Sequence, residues 1–146
     1  MKNPILNIAI FLCFFVLSSF IKNTATAQQP ESIYNKEKIE IYIREVFAEQ
    51  ADASVLKNDK SKRLSMITDF FTRVQIKSKP GYRDKKITLL SQVKLRDTDN
   101  PKLKRDDVFD PQDFNALKYN FPMSANEKKL YRVDNTDYLI VIHPKK

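Results

Sequence analysis

Tyr138-Leu139-Ile140-Val141-Ile142 is an unbroken apolar run in a chain of which 30% is charged. A strand with one wet face alternates apolar and polar residues. A continuous run instead suits a strand covered on both faces, at the centre of a sheet. Before it lies Asp134-Asn135-Thr136-Asp137, whose Asn and Asp side chains can bond their own backbone in a turn. Leu130–Val133 precede that turn. The C-terminus therefore reads as a hairpin whose second strand is central, closed by Pro144 and two lysines.

Upstream, Ile87, Leu89, Ser91, Val93 and Leu95 alternate with mostly polar neighbours, the pattern of a half-buried strand. Val74 and Ile76 alternate with Gln75 and Lys77. Pro80-Gly81 marks a turn and uses the one glycine in the chain. These segments read together as a β-hairpin with a basic tip, Lys77–Lys86. Arg96–Asp110 reads as a charged surface loop. Asp110-Pro111 suits the start of a short helix, with Asp as cap and Pro at the first helical position, and Pro122 ends it. Tyr119, Phe121 and Met123 then read as a loop that plugs the core.

The N-terminal half changes period. Ile39, Tyr42, Ile43, Val46 and Phe47 fall at helical spacing behind Asn35, a good cap, with Ile41 off the stripe. A second helix is expected over 60–72, where Leu64, Ile67, Phe71 and Val74 keep the same period and Phe70 widens the face. Asp52–Asp59 connects the two. The order α-α-β-β-α-β-β lacks βαβ alternation. We therefore expect a small α+β domain over 35–146, with two N-terminal helices on an antiparallel sheet of about four strands and a short third helix.

Residues 1–27 differ in kind. They hold Lys2 and Lys22, no acidic residue, an apolar core around Ile8–Leu17 and the ending Ala25-Thr26-Ala27. This is the form of a secretory signal peptide. An uncleaved anchor is the rival, and the polar run Lys22–Thr26 argues for cleavage near Ala27. The chain is then expected in the periplasm or at the cell surface, with 28–34 as a flexible leader. Cleavage removes Cys13 and both early lysines, which lowers the net charge from +8 to +6.

Composition excludes several chemistries. One Gly leaves no phosphate-binding glycine loop, and one Cys leaves no disulfide framework or Cys-based zinc site. His143, alone, has no nucleophile implied by any motif, so no catalytic residue, cofactor or metal ligand is assigned. Asp97, Asp99, Asp106, Asp107, Asp110 and Asp113 could in principle supply the carboxylate pair of a glycan hydrolase. Lys102, Lys104 and Arg105 interrupt them, and a solvated loop explains them more simply. An EF-hand reading from Asp97 fails, because Pro101 and Lys102 occupy its fifth and sixth positions. A small-ligand module, with a pocket between sheet and helices, is a further alternative.

The strongest feature outside the core is positive charge. Lys57, Lys60, Lys62 and Arg63 cluster near the second helix, and Lys102, Lys104 and Arg105 lie in the long loop. Lys77, Lys79, Arg83, Lys85 and Lys86, with Tyr82 among them, crowd the tip. Such clusters bind polyanions by many weak contacts. Export replaces nucleic acid with an envelope protein or an anionic envelope surface. The sequence thus points to an exported, non-enzymatic accessory or interaction protein of the cell envelope that meets an acidic partner through Lys77, Lys79, Tyr82, Arg83, Lys85 and Lys86.

Overall fold

The computed structural model describes residues 33–57, 62–83 and 85–146. The expected signal peptide, 1–27, lies outside them, as does most of the leader, 28–34. Where the leader enters the described residues it is anchored: Tyr34 is buried, donates to the Phe114 carbonyl at 3.2 Å and packs on Phe71 at 4.6 Å.

Helix α1, Lys36–Phe47, begins where Asn35 accepts from the Lys38 amide, so one orphan N–H of the first turn is satisfied. Its buried residues are Ile39, Tyr42, Ile43, Val46 and Phe47, the expected stripe, while Ile41 stands exposed. A 3-10 turn, Ala48–Gln50, and a π turn, Asp52–Leu56, follow. Helix α2, Arg63–Arg73, buries Ile67, Phe70 and Phe71 beside α1. Phe70, Phe71, Phe114 and Phe121 are the largest fully buried side chains. Burial of each such ring contributes about 1.5–3 kcal/mol.

The strands are β1 (Val74–Ser78), β2 (Thr88–Leu89), β3 (Lys129–Arg132) and β4 (Tyr138–Ile142), in spatial order β1-β4-β3-β2. The fold is α+β, and the continuous apolar run is a central strand: Leu139–Ile142 are all buried. Ile140 and Ile142 join the cluster that includes both helices. Leu139 and Val141 are buried outside that cluster, because alternation points them to the other face.

Three expectations are corrected. Val74–Ile76 and Ile87–Leu95 do not form a hairpin. β1 pairs antiparallel with β4, Val74 opposite Ile142 and Ser78 opposite Tyr138, and β2 lies on the far edge. The apolar β4 fits β1 better than a half-polar strand does, since Val74 and Ile76 then meet Ile142 and Ile140. Second, the sheet is mixed, not antiparallel throughout: β2 pairs parallel with β3, Thr88 opposite Tyr131. The expected strand 87–95 shrinks to two residues, because Leu90–Gln92 turns into a 3-10 helix; only Leu95 pairs again, in an isolated bridge to Tyr119. Third, Asp110-Pro111 starts no helix. Asp110 accepts from the Gln112 amide in a local turn, and the only helical piece is a 3-10 turn at Ala116–Lys118. Every residue from Phe114 to Tyr119 is buried, and a surface helix can bury only one face.

Candidate docking surface

The basic segment is a crossing loop, not a hairpin tip. It leaves β1, passes the end of the β3–β4 turn and delivers the chain to β2. Three strand spacings at about 4.8 Å separate the two edges, a span nine residues cover easily. Asp137 in the turn holds the loop down. Its carbonyl accepts from the Lys79 amide at 2.7 Å, and its Oδ1 accepts from Arg83 Nε and Nη2 at 3.0 and 2.8 Å. The turn itself depends on Asn135 at φ 54°, a left-handed conformation Asn tolerates.

Within the loop, Pro80–Tyr82 forms a 3-10 turn with Pro at its start, where the missing N–H does no harm. Lys85 Nζ lies 5.1 Å from the Tyr82 ring centroid, within cation–π range. Gly81 has no left-handed φ, and a Cβ there would meet nothing within 4 Å. Among the described residues, Lys77, Lys79 and Lys86 are exposed and form no ion pair with a carboxylate. Of the six expected contact residues, Arg83 is thus an anchor, Tyr82 and Lys85 are a stacked pair, and three lysines face solvent.

Two further groups join this surface through the sheet. His143 follows β4, its amide donating to the Arg73 carbonyl, and its Nε2 lies 3.0 Å from Gln75 Oε1. Its pKa is lowered by burial and by the positive charges of Lys128 and Lys77. The sequence reading missed Lys128 and His143 here, because the β1–β4 register sets His143 near Lys77 and the β3–β4 register sets Lys128 near His143. Recognising Val74–Ser78 as the partner of the apolar strand would have found His143.

The acidic loop residues are distributed among separate partners. Asp113 accepts from the Tyr42 hydroxyl at 2.9 Å and pairs with Lys38 at 3.3 Å. Asp106 pairs with Lys118, whose ammonium also meets Glu45 at 2.6 Å. Arg105 donates to the Leu90 and Val93 carbonyls and lies over Tyr119. Among the described residues, no three His, Cys, Asp or Glu side chains are grouped as a metal site. Tyr119 and Phe121 are core residues, and Met123, half-buried, packs against the core cluster.

No protein-family model, no curated protein and no solved structure matches this chain.

Proposed function

We propose that the chain works, after export, as a non-enzymatic interaction protein of the cell envelope that docks an acidic protein face on the crossing loop. The observation that carries this reading is the combination of three exposed lysines with no carboxylate partner among the described residues and a loop held in place by Asp137. A pinned loop loses little conformational freedom on binding, so more of the charge attraction survives as affinity. Lys77, Lys79, Lys85 and Lys86 supply the charge, Tyr82 the amphipathic contact and Arg83 the anchoring.

His143 is the only histidine and therefore an unambiguous NMR reporter. An oligoglutamate peptide bound at Lys77 would offset the positive field and raise the His143 pKa. The expected result is saturable binding that weakens with salt, raises that pKa, and is lost when Lys77, Lys79, Lys85 and Lys86 become Gln. Salt-insensitive binding, unchanged in that variant, would remove the loop from the reading. Tight binding to anionic phospholipid vesicles, with none to the peptide, would replace the protein partner with a lipid surface.

A further inference from the structure

Strand β1 pairs on one side only. At its ends the His143 amide donates to the Arg73 carbonyl at 3.0 Å, and the Lys79 amide donates to the Asp137 carbonyl at 2.7 Å. Hydrogen-bonded pairs alternate along an antiparallel ladder. With Val74 opposite Ile142, the backbone groups of Gln75 and Lys77 therefore point at β4, and those of Val74, Ile76 and Ser78 point outward. The Val74 amide donates to the Phe71 carbonyl at the end of α2. The Val74 carbonyl and both backbone groups of Ile76 and Ser78 have no partner among the described residues. The other edge of the sheet, β2, is two residues long and offers no comparable row.

An outward row of donors and acceptors is completed by an extended segment that exchanges main-chain bonds with it. The side chains say which segment fits. Val74 lies in the core cluster and Ile76 packs against it, so a residue opposite Ile76 meets an apolar wall. Lys77 is exposed on the other face, and Lys79, also exposed, follows two residues on. A residue opposite Lys77 has its Cβ about 4.5–5.5 Å away, within reach of a carboxylate. A second copy of the chain fits worse. With Ile76 opposite Ser78, two β1 strands would set Lys77 against its own copy, and like charges directly opposite are destabilising. Edge lysines of this kind guard against self-pairing.

We propose that β1 takes an extended acidic segment of the partner as an added antiparallel strand, with carboxylates opposite Lys77 and Lys79 and an apolar residue opposite Ile76. Antiparallel addition lets one partner residue exchange both bonds with Ile76 and another both bonds with Ser78. This rests on the acidic partner of the docking reading and gives its mode of attachment, since the crossing loop begins where β1 ends.

The test uses the full chain and a capped hexapeptide of alternating glutamate and valine, followed by titration and by amide hydrogen exchange. Peptide at about a hundred times its dissociation constant should slow exchange at Ile76 and Ser78 about a hundredfold. The Gln75 and Lys77 amides, already bonded to β4, should change little. N-methylation of the valines, which face Ile76 and Ser78, should weaken binding by about tenfold or more. N-methylation of the glutamates, whose amides point away, should not. Ser78→Pro removes an outward donor and no bond to β4, so it should weaken binding while keeping the thermal midpoint. Binding that survives both N-methylated peptides would overturn strand addition. So would oligoglutamate binding at the loop with no protection of Ile76 and Ser78 by the alternating peptide, and the docking reading would then stand alone. Loss on methylated glutamates only would overturn the antiparallel register. Equal affinity for a threonine–valine peptide would overturn the acidic partner and the docking reading with it. Protection in the free chain that grows with protein concentration would assign the edge to a second copy instead.

Discussion

Lys118 makes a quantitative test of how the long loop is held to α1. Its side chain is 5% exposed, whereas those of Glu45 and Asp106 are 40% and 39% exposed. Burial opposes the ammonium charge, but hydrogen bonds to Asp106 and Glu45 outweigh it and its pKa is raised. The two sides of the cluster are therefore unequal. Lys118→Met removes the charge, fills the same channel with a similar stem and leaves two carboxylates that can rehydrate, a loss of about 1–2 kcal/mol. Glu45→Gln with Asp106→Asn leaves the ammonium buried without a counter-charge, which costs about 3–5 kcal/mol. Gln at position 45 still offers an acceptor to Asn115 Nδ2, now 2.8 Å from Glu45 Oε2, so that contact is not the cause. With a urea slope of about 2 kcal/mol/M, the midpoints should fall by about 0.5–1 M and about 1.5–2.5 M. The sign with pH also differs. In the double variant the folded-state pKa of Lys118 drops below its unfolded value, so stability rises as pH approaches 10.5. Equal midpoints, or a larger loss for Lys118→Met, would refute the claim that the buried ammonium dominates the cluster.

Two other outcomes follow from the same structure. The single glycine and a strained alanine are misplaced relative to each other: Gly81→Ala should stabilise by about 0.4–1 kcal/mol, since a Cβ fits there, and Ala48→Gly by about 1 kcal/mol, since Ala48 holds φ 47°. Thermal melts of each variant decide, and a loss at position 81 would show that glycine is needed for that turn. Above pH 10 the protein should lose stability: burial raises the Tyr34 pKa above 10.0, the folded state keeps the proton that the unfolded state releases, and the slope is about 1.4 kcal/mol per pH unit for that group. Urea midpoints between pH 9 and 11.5 should show a shallower fall in Tyr34→Phe, and an identical fall would count against it.

Helical periodicity and the apolar C-terminal run were legible because they are local. Ile39 to Phe47 lie on one face whatever they pack against, and five apolar residues in a row exclude a wet face. Pairing was not legible. The alternation at 87–95 gives two strand-like segments equal claim to neighbour one another, and nothing local says that β4, some 60 residues away, takes the place beside β1. The missing third helix has the same origin. Asp110-Pro111 is a sound start signal, but the residues after it satisfy burial on every side, which overrides a cap worth about 1 kcal/mol. Lys118 reads as a solvated lysine in sequence, and only its approach to Glu45 and Asp106 makes it a buried one.

The topology also ties the candidate surface to the completion of the fold. Strand β4 follows the other three strands in sequence, and β1 has no other partner among the described residues. Asp137, one residue before β4, supplies both contacts that hold the crossing loop. Lys77 lies opposite Leu139 in the same register, and His143 extends it by one residue. The lysines of the loop are therefore displayed in this arrangement only once the C-terminal hairpin is in place. Pairings of such sequence separation carry a loop-closure cost that local contacts do not bear. A chain ending before Asp137 would retain every residue of the basic segment yet lose the strand and the aspartate contacts that position it, so charge content alone does not define this surface.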